Sequence, residues 1–274
     1  MSSVTRRDLV AGSTALLAGV WLAAPRPAEA QAAPVSAGPP NPTLVEDLVA
    51  ANRILVDQGV LDGYGHVSAR HDRDPSRYLM ARSIAPELVT AADIMEYDLD
   101  SVPVDPRGRS LYLERFIHGE VYKARPDVKA VVHSHSPSVI PFGVSAAPLK
   151  PLYHMSAFLW EGVPVFDIRQ AAGGMTDMLV RNGSLGAALA RTLGSRAAVL
   201  MRGHGAVVVG ATLPQAVFRS VYMEVNAKLQ AQAMALGGPV TYLDPEEARR
   251  AEVSLGGTLA RPWELWKRKA LRGQ

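Results

Sequence analysis

Two histidines in the run His133-Ser134-His135, a carboxylate upstream at Glu114 and a third histidine in Arg202-Gly203-His204-Gly205 are the residues of this chain best suited to chemistry. Residues 129–135 run apolar into the first histidine, as a buried strand does when it ends at a site. Residues i and i+2 of a strand project from one face, so His133 and His135 can offer imidazoles to a single cation from a rigid element. His204, held between two glycines where the backbone can turn sharply, would complete a His₃ set with an open fourth position. An open position admits water or substrate, which marks a catalytic metal rather than a structural one.

Those residues need a scaffold, and the composition bounds it. The chain has 274 residues, 48% of them hydrophobic, which is enough for one sizeable core and too short for a second full domain beside it. The formal net charge of +3 is modest, and no Lys/Arg cluster interleaves with aromatics, so no nucleic-acid partner is indicated. Cysteine is absent, which excludes disulfides, thiolate metal sites and a cysteine nucleophile together. A metal here must be held by His, Asp or Glu, a set that suits Zn²⁺ first, with Mn²⁺, Fe²⁺ or Co²⁺ as alternatives.

The first 30 residues read as an export signal. Thr5-Arg6-Arg7-Asp8-Leu9-Val10 resembles a twin-arginine motif, an uncharged apolar run follows to Ala24, and Ala28-Glu29-Ala30 is a cleavage site of the A-x-A kind. The run between Asp8 and Pro25 falls short of the ~18–20 apolar residues that a membrane span requires. A periplasmic or exported protein with no membrane contact after cleavage is the expectation. Residues 31–43, rich in Pro, Ala and Gly, read as an extended linker before a domain at 44–274.

Within that domain the apolar periodicity predicts a helix over 44–56, short strands at 67–70 and 78–80, and a helix over 114–123 leading into the strand 129–135. A helix over 176–193, strands at 197–201 and 206–209, and a long helix over 213–236 follow. Alternating strands and helices predict an α/β layered fold. His71, in a charged turn, is expected at the surface.

The ordered set Gly65-His66-Val67-Ser68, Glu114 to His118, Arg125-Pro126-Asp127, Ala130 to Ser136 and Gly203-His204-Gly205 resembles the class II aldolase/adducin family, of the fuculose-phosphate-aldolase type, over roughly residues 44–243. The resemblance implies a three-layer α/β/α fold with a mostly antiparallel central sheet. It also implies His133, His135 and His204 as metal ligands, Glu114 as acid/base, and a homo-oligomer, commonly a tetramer, with sites between subunits. His154 stands by spacing where the sugar-phosphate enzymes carry a proton-donating tyrosine that reaches a neighbouring subunit. His66, Ser68, Ser83 and Tyr112 are the expected substrate-binding residues.

Departures from the family pattern are equally informative. The family's phosphate-holding Asn, Thr-Gly turn and Ser-Ser pair are replaced here by His66, the region of Ser83-Ile84, and Tyr112-Leu113. A phosphate dianion needs several N–H or hydroxyl donors, and a leucine side chain supplies none. The expected substrate is a small molecule without phosphate, with Arg70, Arg82 and Arg115 available to meet a carboxylate. The leading expectation is a metal-dependent carbon–carbon lyase acting on a hydroxy or oxo acid through a metal-stabilised enolate. A decarboxylase of a hydroxylated aromatic acid is the alternative, an iron-dependent oxygenase a third, and a non-catalytic adducin-like binding module the alternative of another class.

Overall fold

The computed structural model describes residues 33–272; the proposed signal at 1–30 lies outside them. Residues 33–41 have no regular structure, yet they are tied down: the Ser36 hydroxyl and the Ala37 N–H donate to Glu96. Helix α1 (Pro42–Asp57) opens inside the stretch read as linker, with Pro42 at its first turn and the Asn41 side chain accepting from Thr43 N.

Seven strands form one sheet: β1 (His66–Arg70), β2 (Arg77–Ala81), β3 (Ile94–Asp98), β4 (Ala130–Ser134), β5 (Val165–Phe166), β6 (Ala198–Met201) and β7 (Gly205–Gly210), in the order β3-β2-β1-β4-β7-β6-β5. Every neighbouring pair is antiparallel except β5 with β6. Five further helices of functional interest are α2 (Phe116–Ala124), α3 (Ile168–Ala172), α4 (Gly183–Leu193), α5 (Leu213–Ala235) and α6 (Pro245–Gly256); α7 (Ala260–Ala270) closes the described chain.

Alternation along the strands sorts side chains between two helical layers. Val67, Ala69, Leu79, Ala130 and Val132 pack with α1, α5 and Trp266 of α7, while Tyr78, Met80, Val131, Val207 and Val209 pack with α2 and α4. The result is the three-layer α/β/α architecture with a mostly antiparallel sheet that the resemblance implied. His66, Ser68 and Arg70 share the parity that faces α2, as does His133, which lies opposite His66 in the β1–β4 register.

Some boundaries differ from the expectation. Strand β4 ends at Ser134, so His135 lies one residue beyond it. The helix read from Glu114 starts at Phe116, because Glu114 sits in a 3₁₀ turn with φ −93° and ψ 18°. The helix read from Thr176 starts at Gly183, capped by the Asn182 side chain accepting from Leu185 N. Met178, at φ 70°, could not continue a helix. Strand β3, and helices α6 and α7, were not read from periodicity, although Asp244-Pro245-Glu246 is an N-cap signature at the start of α6.

Candidate metal centre

The four residues Glu114, His133, His135 and His204 converge, each offering one ligand atom, and these atoms all lie within 4.8 Å of one another. His133 reaches the cluster from inside the sheet, 1% exposed, its Nδ1–H donating to the Ala206 carbonyl at 3.2 Å. That bond leaves Nε2 as the lone-pair nitrogen, and it is buried with no hydrogen-bond partner among the described residues. His204 sits in the turn between β6 and β7. Gly203 adopts φ 63° there, and a side chain at Gly205 would collide with the Ser134 carbonyl, so the two glycines let the turn press against the end of β4.

His204 Nδ1–H donates to the Met178 carbonyl at 3.0 Å, which turns Nε2 inward to a point 3.0 Å from His135 Nε2. Glu114 completes the set: Oε1 accepts from Val180 N–H at 2.9 Å, and Oε2 lies 3.4 Å from both His133 Nε2 and His204 Nε2. A buried imidazole nitrogen without a partner, two imidazole Nε2 atoms directed at each other and an adjacent carboxylate are all satisfied by one divalent cation. Ligands ~2.0–2.2 Å from a tetrahedral ion stand ~3.3 Å apart, close to the separations observed here. The donor set therefore fits a divalent metal with imidazole and carboxylate preference.

Electrostatics agree with a site built for positive charge. Burial would raise the Glu114 carboxyl, but His133 and His204 outweigh it and hold it well below the usual carboxylate range. Burial likewise opposes protonation of His204, yet Glu114 and the Met178 carbonyl push it up overall. His135 falls to about 4 through burial, with His133 and His204 adding to the effect. His66 falls well below its ordinary value, first by burial and then by the neighbouring His118 and His133.

Sequence reasoning missed the strap at residues 173–182. A helix there would have used the Met178 carbonyl and Val180 N–H internally; the irregular backbone instead gives them to His204 and Glu114. Backbone groups carry no residue-type signature. The glycine pairs that bracket the strap, Gly173-Gly174 before it and Asn182-Gly183 after it, were the available signal.

The cluster lies at the wall of a cavity of about 340 Å³, whose apolar lining includes Tyr64, Ile84, Tyr112, Leu113 and Leu179, and whose polar lining includes His66, Ser83, Glu114, His133 and His135. Tyr112 presents its ring, 4.6 Å from the His66 ring between centroids, while its hydroxyl is bound to Ile84 backbone. Ser68 does not line the cavity; it is fully buried against His118 and Tyr122. His154 is exposed at the start of a 3₁₀ segment and does not join the cavity of its own chain.

None of the three candidate arginines meets the cavity. Arg70 is spent on the carbonyls of Pro75, Tyr122, Arg125 and Val128, Arg82 on Asp93, and Arg115 on Ser101 and Tyr112 carbonyls. Arg70 and Arg115 satisfy backbone carbonyls that secondary structure leaves unpaired, and Arg82 pairs with the Asp93 carboxylate. His71 is buried rather than exposed, since its ring bonds Gly38 carbonyl and Arg73 N–H and so closes its own turn.

Residues 46–231 match the Class II Aldolase and Adducin N-terminal domain. The decarboxylase TropJ of Talaromyces stipitatus is 36% identical over 251 residues, covering 84% of this chain and 94% of its own. The 3,4-dihydroxyphthalate decarboxylase of Arthrobacter keyseri is 32% identical, covering 78% of this chain and 87% of its own. The solved L-fuculose 1-phosphate aldolase of Glaciozyma antarctica superposes with a TM-score of 0.68 at 24% identity, covering 85% of this chain and 94% of its own, which speaks for the fold.

Proposed function

Because this chain belongs to the class II aldolase and adducin family and is a lyase, we propose that it is a divalent-metal-dependent decarboxylase of a hydroxylated aromatic acid. The observation that carries the reading is the cavity: an aromatic and aliphatic slot, ending on a His₃-Glu cluster, with no lysine or arginine in its lining. Such a slot suits a flat aromatic ring and lacks the donors a phosphate requires. Similarity to two decarboxylases across most of both chains supports this order, so aldolase-like cleavage of a non-phosphorylated hydroxy or oxo acid, placed first from the sequence, becomes the second reading.

His133, His135 and His204 would hold the metal, with Glu114 beside them. The metal supplies a Lewis acid for the negative charge that develops on a substrate oxygen. Glu114, ionised by its histidine neighbours, takes the phenolic proton as the acid binds. The bond from ring to carboxylate then breaks, its electron pair stays on the ring carbon and carbon dioxide departs. Glu114 returns its proton to that carbon, and solvent re-protonates the phenolic oxygen, so one proton is consumed per carbon dioxide. Val180 N–H keeps the second carboxylate oxygen in place during both transfers.

The export signal, a native Zn²⁺ and assembly into a homo-oligomer belong to the same proposed reading. His154 would then act, if at all, in a neighbouring subunit's site. The test is carbon dioxide release from 3,4-dihydroxyphthalate and dihydroxybenzoates by metal-loaded protein, with and without a chelator. Chelator-sensitive release is expected; aldehyde release from hydroxy acids with no carbon dioxide from any aromatic acid would overturn it.

A further inference from the structure

Behind the cavity, on the α2 face of the sheet, four buried side chains form an unbroken hydrogen-bonded chain. His66 Nδ1 lies 2.6 Å from His118 Nε2, His118 Nδ1 lies 2.6 Å from Ser68 Oγ, and Ser68 Oγ lies 2.8 Å from the Tyr122 hydroxyl. Ser68, His118 and Tyr122 are essentially sealed from solvent, while the His66 ring forms part of the cavity wall. The chain has a start inside the protein and an end at the substrate.

Its direction follows from satisfying each hydrogen. Among the described residues the Tyr122 hydroxyl has no acceptor other than Ser68 Oγ, so it donates there. Ser68 must then pass its own hydrogen to His118 Nδ1, since its oxygen is already the acceptor from Tyr122. His118, accepting at Nδ1, carries its hydrogen on Nε2 and donates to His66 Nδ1. His66 therefore bears its hydrogen on Nε2, the one polar atom of its ring without a partner among the described residues. Run in reverse, the chain would leave the Tyr122 hydrogen buried with no acceptor among the described residues, which costs free energy. Each imidazole accepts at its Nδ1, so each is neutral and carries a single ring hydrogen.

We propose that His66 is the substrate-selecting hydrogen-bond donor of the cavity, presenting Nε2–H to a carboxylate or phenolate oxygen of the bound acid, and that Ser68 and His118 are positioning residues that fix this tautomer. The choice of oxygen rests on the decarboxylase reading; the tautomer does not. With Arg70, Arg82 and Arg115 all engaged elsewhere, a neutral N–H is the buried side-chain donor the wall offers beside the Ser83 and Tyr64 hydroxyls. One such donor suits a single anionic oxygen and cannot substitute for the several that a phosphate dianion needs. The Tyr112 ring against His66 holds the imidazole plane from the other side.

The experiment reads the tautomer and the donor role separately. Side-chain ¹⁵N NMR of the whole metal-loaded protein, assigned with His66→Asn and His118→Asn, should show both histidines as Nε2–H; an Nδ1–H signal for His66 would overturn the proposal. Ser68→Ala should give a mixture of tautomers, and Ser68→Thr, which restores the hydroxyl, should return the single form; an unchanged spectrum in Ser68→Ala removes the positioning role. His66→Phe should lower kcat/KM for a dihydroxybenzoate by ~10–100-fold with metal content unchanged. An unaltered kcat/KM would overturn the donor role. If wild type binds 3,4-dihydroxybenzoate but turns over no aromatic acid, the decarboxylase reading fails alone, and the donor is then judged by whether His66→Phe weakens that binding by the same factor.

Discussion

Strands β1 and β4 carry opposite work on their two faces. Toward α1, α5 and α7 they place Val67, Ala69, Ala130 and Val132, all buried and apolar; toward α2 they place, beside the apolar Val131, the polar His66, Ser68, Arg70 and His133, equally buried. On the first face each side chain gains from leaving water, ~25 cal/mol per Å² of apolar area, whatever its partner. On the second face burial of the polar side chains costs free energy unless donors and acceptors are matched, and here the matching is done by groups on α2 and β7 and by the Arg125 and Val128 carbonyls, while the strap at 173–182 does the same for Glu114 and His204. Stability and chemistry are thus drawn from alternate residues of the same five-residue strands. A site built this way stays rigid because the opposite face of its own strands is the core.

If the division is real, substitutions on the two faces should separate metal and turnover from stability. The largest effect is expected for His133→Ala: metal content, measured by elemental analysis, should fall from about one per chain to little or none, and activity with it. Retained metal would show that the α2 face is not the ligand face. Glu114→Gln should keep metal bound while lowering turnover by ~10²–10⁴-fold, read from steady-state kinetics beside the same elemental analysis. On the opposite face, Leu79→Ala should cost ~2–5 kcal/mol in denaturant unfolding with the metal stoichiometry and KM unchanged. A changed KM there would break the comparison.

The smallest of these effects is a pH dependence that belongs to the polar face. Burial, with His133 beside it, pushes His118 down to about 3 from an ordinary 6.5. Between those values the unfolded chain binds a proton that the folded chain refuses, so this histidine costs nothing above pH 6.5 and destabilises as pH falls, by about 3 kcal/mol at pH 4. Unfolding midpoints at pH 7 and pH 4 should show the loss, and His118→Gln should flatten it. An identical pH slope in the variant would assign the acid sensitivity to other groups.

Much of the site was legible because side-chain chemistry carries it. His133, His135, His204 and Glu114 are residue types with few other uses in that spacing, and the structure brings all four together. Ser68 shows the limit. It stands in the same motif as His66 and shares its strand face, yet two residues along that face is deep enough that its hydroxyl meets α2 instead of the cavity. The three arginines failed for a related reason: the guanidinium of Arg70 or Arg115 is spent on backbone carbonyls that lack partners and that of Arg82 on the Asp93 carboxylate, and those partners depend on loop paths that local pattern does not encode. His71 was misread because a charged turn looks exposed until its ring is seen closing the turn.

By itself the sequence determined the family, the residue types of the candidate metal cluster, the absence of thiolate chemistry and the alternation that gives each strand two faces, because these depend on residue identity and on periodicities of two and 3.6. Only the tertiary structure decided that Glu114 sits in a turn ahead of its helix, that residues 173–182 stay irregular to lend a carbonyl to His204 and an N–H to Glu114, and that Tyr122, Ser68 and His118 join into one chain ending at His66. Those outcomes depend on backbone groups and on contacts between residues 26 to 66 positions apart, and such partners are fixed by packing, where each buried hydrogen must find an acceptor.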